Sequence, residues 1–278
     1  MTDRSEAVEA YKNALLNADD DAAAAAVAAR MTGDVVVETN FGRAEGTEAA
    51  LAMLRGPRSA GVLAAGPAEW SALVLASGPG GHPGASGPGG DGDRATISAT
   101  LPATARFGGI EFVFEFAGGK IRRVEQELIP PAPPEAAPLR LTGEMKAAIT
   151  GALDNQTPVL IAYLDSDEEI HLSFRGTIQA YSDEQLALWA RDPAGGLPRN
   201  IAVRPKVTLF YHDARTRTSY TFYGRARVHD DPAVRTAIYE NSHPGERQMD
   251  FRRHGVAVIV DLRKIEGRDS TGRILMRR

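Results

Sequence analysis

The chain has 278 residues, a formal net charge of −4 and no cysteine. Without cysteine, disulfides, thiolate nucleophiles and thiolate-bound metals are excluded, and so small a net charge argues against nucleic acid as a partner. The length suits two ordinary domains, each with its own core.

The first residues, MTDRSEAVEAYKNALL, carry acids and helical spacing where a signal peptide has a basic patch and an apolar run. No stretch approaches the roughly 18 apolar residues of a membrane span. A cytoplasmic protein without membrane contact is expected. Ser5 is placed to cap a first helix in which Ala7, Val8, Tyr11 and Leu15 recur at helical spacing up to Asn17. Asp20 and Asp21 precede an alanine-rich second helix reaching Met31, with the acids favourably at its start. Val35 to Thr39 reads as a short β-branched strand, and Thr47 as the cap of a third helix through Leu51 and Leu54 to Gly56.

Strands are then predicted over 69–76, 94–101, 109–116 and 120–128. In the third, Ile110, Phe112, Phe114 and Phe116 alternate with Glu111, Val113 and Glu115, which marks one aromatic-rich buried face. Gly118-Gly119 supplies the following hairpin turn. Between the first two strands, residues 77–93 (SGPGGHPGASGPGGDGD) are a low-complexity loop, expected to be mobile. Gly87, Gly89 and Gly92 have the dinucleotide-fingerprint spacing, but a strand follows them where the motif needs a helix N-terminus, so the spacing is a chance match. The order helix, helix, strand, helix and then antiparallel strands resembles the nuclear transport factor two-like cone fold, of which SnoaL-like domains are a branch, over residues 5–128. That resemblance implies an α+β cone with helices on a curved antiparallel sheet, whose acid/base work is done by polar residues facing a cavity. Asp34, Glu38 and Tyr11 are the residues available for that role, since the one histidine here, His82, lies in the low-complexity loop. The plainer reading, that they cap or solvate element ends, is preferred. This domain, residues 1–128, is therefore expected to be non-catalytic and to support dimerisation or cover a neighbouring site.

Residues 129–138, IPPAPPEAAP, are a proline-rich linker, a semi-rigid spacer of roughly 30 Å in polyproline II geometry. Acids outnumber bases before it and bases slightly outnumber acids after it, which suits an anionic ligand in the second domain, residues 139–278. There Thr142 caps a helix with Met145, Ala148, Ile149 and Leu153 on its inner face, ending near Asp154. Strands follow over 158–163, 170–174, 176–181, 186–189, 206–212 and 219–229, the last with Gly224 as a bulge or close-approach point. Asp231-Pro232 starts a helix. A buried strand runs from Gly255 to Leu262 and on towards Gly267. Many strands in antiparallel pairs indicate a small closed barrel.

The stretch from His171 to His212 gathers the candidate site. His171, Ser173 and Arg175 alternate with Leu172 and Phe174, so a strand here presents one polar face and one core face. Trp189, Arg191, Gly195, Gly196 and Arg199 follow: a planar side chain, free backbone N–H groups and two cations, which suit a phosphate-bearing aromatic cofactor. Taken singly the residues have plainer readings. Ser173 and Arg175 read as the solvated face of an edge strand, and Trp189 as core. Lys206 and Arg204 read as exposed charges, and the run Glu246, Arg247, Asp250, Arg252, Arg253 as a solvated helix face. The six histidines show no metal-ligand spacing, so no metal is expected.

The succession HLSFRG, QLALWARDP, GGLPRNI, RPKVTLFYHD, GRARVHDDP and GVAVIVDL, over about residues 139–270, resembles the pyridoxamine 5'-phosphate oxidase-like split-barrel proteins. The resemblance implies a mainly β split barrel that dimerises and binds FMN, or in some members a deazaflavin, at the subunit interface. It places Ser173, Arg175, Trp189, Arg191, Gly195, Gly196 and Arg199 against the cofactor. The family's phosphate loop carries a hydroxyl residue followed by Arg-Lys. Here RDPAGGLPRN has no lysine, so Arg191 and Arg199 would share that task. The implied function is a flavin-dependent oxidoreductase acting on a small molecule. The alternatives are a non-catalytic flavin- or deazaflavin-binding module and, further off, chemistry in the cone.

Overall fold

The computed structural model describes residues 3–56, 63, 66–76 and 93–278. The low-complexity loop, with His82 and the Gly87, Gly89, Gly92 spacing, lies outside the described residues but for Asp93. The chain divides into two compact units, Met1–Pro133 and Pro134–Arg278.

The described part of the first unit consists of α1 (Asp3–Leu16), α2 (Asp21–Ala28), β1 (Met31–Thr39), β2 (Gly42–Glu45), α3 (Thr47–Leu54), β3 (Glu69–Trp70), β4 (Val74–Ala76), β5 (Arg94–Thr100), β6 (Gly109–Ala117) and β7 (Lys120–Ile129). Its sheet runs β2-β1-β7-β6-β5-β3, with β4 also paired to β5. Gly118 and Gly119, at φ 57° and 78°, make the β6–β7 turn, where two successive left-handed positions favour glycine. Ala7, Val8, Tyr11 and Leu15 of α1 join the core with Ile110, Phe112, Phe114 and Phe116 of β6.

Local boundaries differ from the sequence reading for identifiable reasons. Ser5 lies inside α1, which begins at Asp3. The alanine run leaves the helix at Ala28, because Met31 is captured by the sheet opposite Ile121. Gly46, at φ 83°, holds the cap position before α3, and the Thr47 hydroxyl donates instead to the Thr32 carbonyl at 3.2 Å. The strand expected over 69–76 is two pieces, interrupted where Ser71 ties both its backbone N–H and its hydroxyl to Ser98. The sheet is not wholly antiparallel, since β1 lies parallel to β7.

The second unit consists of β8 (Ala137–Pro138), α4 (Gly143–Thr150), β9 (Val159–Leu164), β10 (Ile170–Arg175), β11 (Gln179–Ala180), β12 (Gln185–Ala190), α5 (Gly196–Val203), β13 (Lys206–Asp213), β14 (Thr218–His229), α6 (Pro232–Glu240), α7 (Pro244–Met249), β15 (Val256–Asp269) and β16 (Gly272–Arg277). The ladder runs β10-β9-β13-β14-β15-β12-β11, with β16 on β15 and β8 on β16. Its two ends, β10 and β11, do not pair with each other, so the closure expected of a barrel is interrupted there. The proline-rich spacer is shorter than its ten residues suggest. Ile129 ends β7, while Ala137 and Pro138 pair with Met276 and Arg277. Proline's missing N–H is tolerable at such a margin.

Thr142 caps α4 by accepting from the Met145 N–H at 3.2 Å, and Met145 and Ile149 are fully buried. The helix stops at Thr150, which leaves Leu153 outside the core face. Only Gln179 and Ala180 of the strand expected over 176–181 enter the ladder, and β16 is a strand that the sequence reading lacks. The β14–β15 register shifts at Tyr223/Gly224, with Arg263 as the extra residue. A Cβ on Gly224 would lie 2.6 Å from Val260 Cγ1 and 2.8 Å from the Asp261 carbonyl oxygen, so only glycine fits. Strand β12 is buried on both faces. Leu186 and Leu188 enter the main core, while Ala187 and Trp189 pack with Ile238 and Tyr239 of α6. This double burial explains its unbroken apolar run, LALWA. Among the described residues no helix is long and apolar enough to cross a membrane.

Candidate functional site

The alternation in β10 has the predicted period and the opposite polarity. Ile170, Leu172 and Phe174 are 71%, 56% and 71% exposed, whereas Ser173 and Arg175 turn inward. Pairing explains the inversion. Across the β9–β10 ladder His171, Ser173 and Arg175 stand opposite Tyr163, Ile161 and Val159, all of which belong to the core. The Ser173 Oγ and Arg175 Nε atoms are buried and have no hydrogen-bond partner. An unsatisfied buried donor costs about 1–3 kcal/mol, so this pair asks for an acceptor.

A cavity of about 320 Å³ opens beside the break in the ladder, lined by residues 174–177, the end of β12 and the start of α5. Arg175, Trp189, Arg191, Gly195 and Gly196 line it, and Ser173 and Arg199 do not. Gly195 caps α5 without a side-chain hydrogen bond. Pro198, in the first turn, has no N–H, so the helix start offers the Gly196 and Leu197 amides. A Cβ on Gly196 would stand 3.0 Å from the Tyr163 hydroxyl, a close contact that places this hydroxyl at the start of α5. The Tyr163 ring lies 4.8 Å from that of His171. Burial raises the pKa of its hydroxyl, Arg175 and Arg199 oppose the rise, and Asp165 adds to it, with a raised value as the net result. Both arginines therefore act on one point near the α5 N-terminus. One carboxylate is also present: Asp192 accepts from the Ala194 N–H at 3.0 Å and lies beside Gly195.

The remaining candidates are engaged elsewhere. Arg191 is ion-paired through Nε to Glu246 at 3.0 Å, and the Thr177 hydroxyl donates to the same carboxylate at 2.8 Å. Trp189 is 3% exposed. Its indole N–H donates to Asp250 at 2.9 Å, Tyr239 packs edge-on to it at 5.1 Å, and the Arg235 guanidinium lies 5.5 Å from its ring centre. Arg199 sits on the exposed side of α5. Glu246 and Asp250, read from sequence as a solvated helix face, thus hold the cavity wall. Their partners lie 55 and 61 positions away, and no local pattern signals them.

In the first unit the three pocket candidates do not converge. Tyr11 is buried edge-on against Phe112 and Phe114, at 5.8 and 5.2 Å, and burial drives its pKa upward. Asp34 is exposed, and Glu38 is paired with Arg123 at 2.5 Å in a surface depression.

No family model matches the chain, and no curated protein matches it. Several solved structures are similar over just under half of the chain. HupZ of Group A Streptococcus is 18% identical, with 48% of this chain and 97% of that one covered at a TM-score of 0.36. General stress protein 26 of Bacillus anthracis is 14% identical, with 49% and 99% covered at 0.38. A Clostridium acetobutylicum protein related to general stress protein 26, described as of the pyridoxinephosphate oxidase family, is 9% identical, with 46% and 90% covered at 0.36.

Proposed function

We propose that the second unit binds a flavin by its phosphate, FMN in the first place and a deazaflavin as the alternative, and serves as an oxidoreductase on a small organic substrate. The observation that carries the reading is the orphaned buried donor Arg175 Nε, on a residue that lines a cavity with uncapped helix amides at its edge. A phosphate satisfies both kinds of donor at once. In this reading Arg175 holds the anion from β10, the Gly196 and Leu197 amides hold it from α5, and Arg199 adds long-range attraction, while Ser173, one position deeper on the same strand face, stands behind Arg175. The Arg191–Glu246–Thr177 cluster fixes the cavity wall, and Trp189 braces it through Asp250. A flavin supplies electron and hydride chemistry when bound. The chain's part is to bind and orient it. The exposed apolar row on β10 supports a homodimer, as the family resemblance implies.

The test is the visible absorption spectrum of the purified protein before and after addition of FMN or a deazaflavin, with mass analysis of anything released on denaturation. Arg175→Ala should weaken flavin binding about ten-fold or more, the loss of a charge-assisted hydrogen bond, and Arg199→Ala less. A colourless protein that binds neither compound, or an Arg175→Ala protein of unchanged affinity, removes the assignment. One observation favours a non-catalytic module as the second reading: the cavity's own ion pair, Arg191 with Glu246, ties up two of its titratable groups. Flavin binding without turnover of any added reductant would select it.

A further inference from the structure

We propose that the second unit carries another site, on the outer face of β13, β14 and β15, for an anion borne on an apolar body. A depression of about 480 Å³ lies there, with Lys206, Thr208, Tyr223, Arg225 and Arg263 around it. It shares no lining residue with the cavity beside Arg175.

Three cations meet at this place, and the fold explains why. Lys206 and Arg225 stand directly opposite each other in the β13–β14 ladder. Like charges in that relation destabilise a sheet. Arg263 is the extra residue of the β14–β15 bulge, is exposed, and lines the same depression as Arg225. Carboxylates nearby are already used. Asp261, in register with Arg225, accepts from Arg227 at 2.5 Å and from Gln185 at 2.7 Å. Glu266 accepts from Lys264 at 2.8 Å and from the Tyr223 hydroxyl at 3.0 Å. Among the described residues, Lys206, Arg225 and Arg263 are left without an acidic partner.

The arrangement defines the ligand class. Three unpaired cations select a phosphate or carboxylate. The space exceeds what an inorganic ion fills and falls within the range of small-molecule sites. Val207, Thr208, Tyr223 and Gly224 line it together with the three basic residues, whose long aliphatic stems suit an apolar or aromatic body. Lys264 lies over the Tyr223 ring, 4.0 Å from its centre, and holds it in place.

Phenyl phosphate is a suitable probe. The full chain carrying Arg175→Ala, so that the two sites are not confused, is titrated calorimetrically at low ionic strength, with and without Arg225→Gln and Arg263→Gln. Affinity should fall about ten-fold or more in the multiple variant. Equal affinity in both proteins, or no binding to either, overturns the site. Inorganic phosphate bound as tightly as phenyl phosphate overturns the apolar part of the assignment. Lys206→Gln gives a second readout. It relieves the facing charges, so the melting temperature of the ligand-free protein should rise while phenyl phosphate affinity falls. A lower melting temperature with unchanged affinity makes Lys206 a structural residue and sinks the proposal. A change of oligomeric state in the Arg225→Gln, Arg263→Gln protein with affinity intact assigns the cations to subunit contact, and overturns it likewise.

Discussion

Asp250 shows how much one carboxylate can organise. It accepts the Trp189 indole N–H at 2.9 Å, the Gly255 N–H at 2.8 Å and the His254 N–H at 3.0 Å. Burial alone would raise its pKa, but these three donors outweigh burial and hold it below the usual carboxylate range. A depressed folded-state pKa contributes stability that is complete above the unfolded value of about 3.9 and is lost as pH falls through the folded one. Asp250→Asn should therefore cost about 1–3 kcal/mol near neutral pH. The gap in melting temperature from the parent protein should stay level down to about pH 5 and narrow below about pH 4. A gap that widens in acid contradicts the assignment. None of this was legible locally. Trp189 is followed in sequence by Arg191 and a glycine pair, which reads as a ligand wall. Its true partner lies 61 residues on, in a stretch whose composition resembles a solvated helix.

At the scale of elements, period was readable and facing was not. The two-residue alternation of β10 is plain in the sequence, yet apolar character, which normally marks the core face, points Leu172 and Phe174 inward. Pairing with β9 decides otherwise: the residues opposite Val159 and Ile161 are Arg175 and Ser173, which turn inward, while His171, opposite Tyr163, stays exposed. Glycines at close crossings were partly legible. Gly224 reads from the sequence as a bulge or close approach, whereas Gly267, where a Cβ would fall 2.2 Å from the Ser219 carbonyl oxygen, reads like any strand residue. Both obstacles include backbone, which yields little. Gly224→Ala should destabilise the second unit by about 1–3 kcal/mol and Gly267→Ala by at least as much, as read by urea unfolding. A neutral Gly267→Ala shows that the β14–β15 crossing is looser than described.

For whole units, the extent of the proline-rich segment is not legible, because polyproline spacing carries no sign that its last residues will join a sheet. Ala137 and Pro138 pair with β16, and the Leu139 N–H donates to the Arg277 carbonyl at 3.0 Å. A fragment of residues 134–278 should therefore exceed one of 139–278 in stability by roughly 1–2 kcal/mol, a few backbone hydrogen bonds' worth; identical urea midpoints would make β8 dispensable. The exposed row Ile170, Leu172 and Phe174 lies on an edge strand, where an apolar face invites association. Light scattering should find a dimer, and Leu172→Glu should shift it towards monomer; a parent protein that is monomeric at high concentration removes the proposed pairing. The parallel docking of β8 on β16 also has a mechanical meaning. When residues 134 and 278 are drawn apart, the two strands slide lengthwise past each other, so their cross-links bear the load together rather than one after another. Pulled in that direction, the unit should resist force more than when it is gripped at a hairpin and peeled.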